Sequence, residues 1–159
     1  MIRRLAVCLL LILLSGCATS KKLGKVLMDP NIQVGSLAEQ PSSVRITLLA
    51  EPDINKNESD EATPVNLQVV YLSEDSKLLA TDFDELNDDE RKLSDLLGKN
   101  YIDHQDFTLT PGQFKPLEPV TLEPKNQYIG VVIYYADENE TQWKKIIKAK
   151  GTGHVYHLL

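Results

Sequence analysis

Cys17 is the side chain of this sequence best placed to undergo chemistry. It closes the run Leu14-Ser15-Gly16-Cys17, which follows a basic start, Met1-Ile2-Arg3-Arg4, and the apolar stretch Leu5 to Leu14. A charged beginning, a short apolar segment and small residues at a cleavage point make a secretory signal peptide. The apolar stretch is too short to span a hydrocarbon core, which needs about 20 helical residues. A cysteine directly after Leu-Ser-Gly is the bacterial lipobox, so Cys17 is expected to be lipidated as the first residue of the mature chain. Each buried methylene contributes ~0.8 kcal/mol and stable anchoring takes two acyl chains or more. Several chains on Cys17 would therefore hold the protein on a membrane.

The other reactive side chains offer no second chemistry. Cys8 leaves with the signal peptide and Cys17 is consumed by lipid, so the mature domain has no disulfide, thiol nucleophile or cysteine metal site. The histidines His104, His154 and His157 lack metal-ligand spacing on a helix. No Gly-x-Ser-x-Gly, phosphate loop or His-Glu-x-x-His motif occurs. Asp53-Ile54-Asn55-Lys56-Asn57 imitates a calcium loop, but Glu58 stands where glycine is needed and Pro64 where a bidentate Glu belongs. Asp82, Asp84, Glu85, Asp88, Asp89 and Glu90 crowd a predicted helix start, where capping and the helix dipole account for them. The expectation is a protein without enzymatic activity and without a cofactor beyond the covalent lipid.

Removing residues 1–16 leaves 15 basic against 23 acidic residues, a net charge of −8. Such a surface repels nucleic acid and anionic head groups, so membrane attachment must come from lipid. Ala18 bears on which membrane: by resemblance to enterobacterial lipoproteins, Ala there rather than Asp implies the periplasmic leaflet of the outer membrane.

The elements that would carry a binding surface follow the tether, residues 17–40, which is rich in Ser, Lys, Gly, Asn and Gln and holds a possible short strand at Ile32 to Val34. The folded domain is expected to span residues 41–159. Val44 to Leu49, Val65 to Leu72, Asp106 to Thr110, Val120 to Leu122, Tyr128 to Tyr135, Trp143 to Ala149 and His154 to Leu158 read as strands. The unbroken apolar run from Tyr128 predicts a central strand. Thr81 to Leu97 reads as one helix or two short ones, with Asp82 and Glu85, and again Asn87 and Glu90, at capping-box spacing and Gly98 as the stop. The fold class is all-β, a β-sandwich with a short helical insertion. Glu51 to Pro64, polar with five acidic residues, is long for a β connection and so is either functional or disordered. Trp143 is expected to cover one end of the sandwich core.

Taken in order, the lipobox, the tether, Val44-Arg45-Ile46-Thr47-Leu48-Leu49, Pro64-Val65-Asn66-Leu67, Thr81-Asp82-Phe83-Asp84-Glu85-Leu86, Phe107-Thr108-Leu109-Thr110-Pro111-Gly112 and Tyr128 to Tyr135 with Trp143 beyond resemble the TssJ (SciN) family, the outer-membrane lipoproteins of the type VI secretion system. The resemblance implies a transthyretin-like β-sandwich. It also implies a structural adaptor that docks on the periplasmic C-terminal domain of the inner-membrane protein TssM. The resemblance implies contact through the loop after the first strand, which here matches Glu51 to Pro64. The expected contact residues in it are Asp53, Ile54, Asn55, Lys56, Asn57, Glu58, Asp60 and Glu61, with Ile54 as the candidate apolar anchor. The competing expectation is a general periplasmic ligand-binding or envelope-assembly lipoprotein, which predicts an apolar cleft.

Overall fold

The computed structural model describes residues 37–88, 90–136 and 142–159. Cys17, Ala18 and the expected strand at Ile32 to Val34 lie outside the described residues. A short 3-10 turn, Leu37–Glu39, leads into the domain. Eight strands follow among the described residues: β1 (Ser43–Leu49), β2 (Val65–Leu72), β3 (Tyr101–Leu109), β4 (Phe114–Pro116), β5 (Val120–Thr121), β6 (Tyr128–Tyr134), β7 (Lys144–Lys148) and β8 (Val155–Leu158). Three short helices, α1 (Ser76–Ala80), α2 (Phe83–Leu86) and α3 (Leu93–Leu97), interrupt the chain between β2 and β3.

The strands form two sheets. One is antiparallel throughout, in the order β3-β2-β6-β7, so β6 is the internal strand its apolar run predicts. The other is built on β1. The N–H of Ala50 reaches Gln113, while the carbonyls of Ile46 and Ser42 accept from Leu117 and Leu122, which seats β4 and β5 along one edge. The N–H of Ser43 donates to His154 on the other edge, where β8 runs parallel to β1.

The sequence of β2 explains why the domain has three layers. Val65, Leu67, Val69 and Tyr71 alternate onto one face and join Val44, Ile46, Leu48 and Ile129 in the core between the sheets. Val70 and Leu72 point the opposite way, into a second core with Leu78, Leu86, Leu93, Leu97 and Val132. The first half of β2 therefore alternates because its outer face is wet at Asn66 and Gln68. The second half is wholly apolar because the helices cover it.

The helical region differs from the expected one. The Asp82–Glu85 capping box is present and starts α2. Asn87 does not start a helix; α3 begins after Lys92 instead and ends at Gly98, whose φ of 52° suits glycine. Helix α1 was not predicted, since five residues give no helical periodicity. Lys144 Nζ then fastens the layer to β7 by donating to the carbonyls of Leu78, Leu79 and Thr81 at 3.0, 2.8 and 2.7 Å. Trp143 packs edge-on against Phe83, with centroids 5.4 Å apart, and belongs to this second core. It does not cap the space between the sheets, because the helices supply the apolar partner on the outer face.

Candidate docking site

Several of the residues weighed for catalysis are engaged structurally. His104 Nδ1 lies 2.7 Å from the Tyr101 hydroxyl and its Nε2 lies 3.5 Å from Asp106 Oδ2. His154 Nδ1 lies 2.7 Å from the Thr152 carbonyl, and the ring stacks on Tyr156. In the acidic helix region Arg91 sits 3.9 Å from Glu85 and 3.7 Å from Asp88. Among the described residues no group of three or more His, Cys, Asp or Glu side chains could hold a metal. No helix among them is long and apolar enough to cross a membrane.

The connection from Glu51 to Pro64 is an ordered excursion. Lys56 and Ala62 form an antiparallel bridge across it, and the Asn57 N–H donates to the Glu61 carbonyl at 3.0 Å. Asn57 Oδ1 accepts from the N–H groups of Ser59 at 2.9 Å and Glu61 at 3.0 Å, so an Asx-type turn shapes the tip. Lys56 and Asp60 pair at 2.9 Å; that hydrogen bond, with the charge of Asp60, raises the lysine pKa. Asn55 and Asp60 take positive φ, 52° and 61°, a conformation that Asn and Asp tolerate better than most residues. Glu58, Ser59, Asp60 and Glu61 are all exposed at the tip.

Two of the eight expected contact residues face inward. Ile54, expected as the apolar anchor, is half-buried and packs against the core between the sheets. Asn55 is half-buried, and its side chain bonds to Thr63, Pro64 and Ala136. The loop thus presents a polar, acidic tip on a stem tied to the domain.

An apolar surface that the sequence reading did not find adjoins this stem. Leu49 and Phe114 are cross-strand partners on β1 and β4, and they are 58% and 64% exposed. The Gly112 N–H donates to the Glu51 carbonyl at 3.1 Å, which brings the β3–β4 turn beside the loop. The pair went unseen because β4 was not read as a strand. The signal was the alternation of Phe114-Lys115-Pro116-Leu117 after the Pro111-Gly112 turn.

A cleft of ~800 Å³ opens between the sheets. Leu48, Ile54, Val131, Ile133 and Ile147 line it, with Lys145 and His157 at polar positions.

Comparison with known proteins bears on the whole domain. The family model T6SS-SciN, described as type VI secretion lipoprotein (VasD, EvfM, TssJ), matches residues 42–159. The T6SS lipoprotein TssJ1 from Pseudomonas aeruginosa is 25% identical, with a TM-score of 0.65 over 73% of this chain and 86% of that one. Lip from Serratia marcescens, a membrane-bound component of the type VI secretion system, has a TM-score of 0.64 at 23% identity, over 74% of this chain and 90% of that one. A chain of a type VI membrane complex shares the fold, with a TM-score of 0.60 at 17% identity over 71% of this chain and 85% of that one. No curated protein matches the sequence.

Proposed function

Because this chain belongs to the T6SS-SciN (TssJ) family of type VI secretion lipoproteins, we propose that it is the lipid-anchored adaptor of the secretion membrane complex. Lipid on Cys17 holds it in the periplasmic leaflet of the outer membrane, and Ala18 directs it there. The β-sandwich docks on the periplasmic C-terminal domain of TssM and has a structural rather than a catalytic role.

The observation that carries this reading is the ordered loop Glu51 to Pro64, with its exposed acidic tip. An ordered loop loses little freedom on binding, so more of its interaction free energy appears as affinity. Glu58, Asp60 and Glu61 steer the domain toward a basic surface, an effect that salt screens. Leu49 and Phe114 beside the stem supply the apolar area that the tip lacks; aromatic residues at interface centres commonly carry most of the affinity.

The test is a pull-down from envelope extracts with residues 18–159, without lipid, as bait. Recovery of TssM through its periplasmic domain supports the adaptor role. Recovery of nothing at physiological salt contradicts it.

The cleft between the sheets favours a second reading, a periplasmic ligand-binding lipoprotein. Native mass spectrometry of the purified domain separates the two. A co-purifying small amphiphile supports ligand binding, and its absence removes that reading.

A further inference from the structure

We infer that Asn55 is the positioning residue of the docking loop, setting where the acidic tip stands without itself meeting the partner. The inference rests on the docking reading above and assigns one of its residues a different task.

The geometry around Asn55 leaves its side chain no free polar group. Both amide hydrogens are used: Nδ2 donates to Thr63 Oγ1 at 2.9 Å and to the Pro64 carbonyl at 2.7 Å. Oδ1 accepts from the N–H of Ala136 at 2.7 Å, across 81 residues of sequence. The Thr63 hydroxyl donates back to the Asn55 carbonyl at 2.5 Å, and the Thr63 N–H reaches the same carbonyl at 3.2 Å. A primary amide offers two donors and an acceptor in a plane, so one side chain can clamp three segments at once. Here the segments are the outgoing limb of the loop, its return limb before β2, and the chain just beyond β6.

The chain to either side makes the clamp effective. Ile54 is packed on the inter-sheet core, so the outgoing limb is fixed immediately before Asn55. The positive φ of Asn55 then turns the chain outward. Asn57 shapes the tip through its bonds to Ser59 and Glu61, but both bonds lie within the tip. Through Oδ1, Asn55 ties the loop to a distant segment, the chain just beyond β6. The direction in which Glu58 and Glu61 point is therefore set at Asn55.

The test compares purified variants for affinity to the partner's periplasmic domain at several salt concentrations, with hydrogen–deuterium exchange on the free protein. Asn55→Gly keeps the turn accessible and removes all three side-chain bonds. It should raise exchange across residues 57–63 and weaken binding roughly tenfold, the cost of ordering one or two segments on docking. The salt dependence should stay as in the wild type, because every charge remains. Asn55→Asp keeps an acceptor for Ala136 but donates to neither Thr63 nor Pro64, so it should fall between the two. Glu58→Lys with Glu61→Lys should instead reduce the salt dependence.

If Asn55→Gly leaves affinity or exchange unchanged while the charge reversals weaken binding, the positioning role is overturned and the docking reading survives. Charge reversals without effect overturn both. An Asn55→Gly protein whose salt dependence changes with its affinity would make Asn55 a contact residue and likewise overturn the inference.

Discussion

Leu78 of α1 lies over Gly130 of β6, its Cδ2 only 2.5 Å from where a Cβ on the glycine would stand. Leu78 is fully buried, so it has nowhere to withdraw. The helix layer therefore approaches the sheet as closely as it does because position 130 has no side chain. Gly130→Ala should overpack this contact and cost about 1–3 kcal/mol. Leu78→Ala, which opens a cavity in the same place, should cost about 2–5 kcal/mol. Urea unfolding curves check both. An unchanged midpoint for Gly130→Ala would mean that the layers are not in firm contact.

Lys144 fastens the same layer from its edge through three carbonyls. Lys144→Met retains the aliphatic stem and leaves Leu78, Leu79 and Thr81 without their donor. The expected loss is on the order of 1–2 kcal/mol, allowing for partial exposure of the site. Because Trp143 contacts Phe83 of the helix layer, its emission should shift at lower denaturant than in the wild type.

Alkaline pH should weaken the fold in a defined window. Burial pushes the hydroxyls of Tyr71 and Tyr134 up to about 12 from 10.0, with Asp103 adding to the first and Asp106 to the second. Below pH 10 both groups are protonated in folded and unfolded chains alike, and stability is undiminished. Between pH 10 and 12 the unfolded chain releases protons that the folded chain keeps, so stability falls as pH rises. Melting temperatures across this range should decline less steeply in Tyr71→Phe. An equal decline would show that the Tyr71 hydroxyl ionises freely in the folded state.

Ile54 carries a consequence for stability rather than for binding alone. Its side chain packs on the inter-sheet core, so Ile54→Asp places a carboxylate against apolar neighbours. The expected cost is about 1–3 kcal/mol, measured by thermal unfolding of the isolated domain. Loss of partner binding by this variant would thus mix two effects, whereas Glu58 and Glu61 are exposed and Glu61 bonds to Asn57 within the tip, so their reversal leaves the core packing untouched.

Much of this architecture was legible in the sequence because β-strands betray themselves by alternation. Val65 to Leu72 was found with its bounds, and its change from alternating to wholly apolar marked the point where a second layer begins. The capping box of Asp82 and Glu85 was found because its spacing is a local property. Helix α1 and strand β4 were missed for the opposite reason: five and three residues hold too little periodicity, and tertiary contacts define them. The loop was recognised as exceptional from length and charge. Its internal order was not, since the partners of Asn55 lie at Thr63, Pro64 and Ala136 and no local pattern announces them. The inward packing of Ile54 is hidden for the same reason: the sequence shows an apolar side chain but not the direction in which it packs.

The proposed contact between the acidic tip of the Glu51 to Pro64 loop and the TssM periplasmic domain can be measured by calorimetric titration of the two purified domains. The wild-type domain should bind with an affinity that falls as salt is raised, and the Glu58→Lys, Glu61→Lys pair should weaken binding about tenfold or more at low salt, a loss on the order of 1.4 kcal/mol. Binding of the double variant with wild-type affinity and salt dependence would contradict the account and move the interface elsewhere on the sandwich.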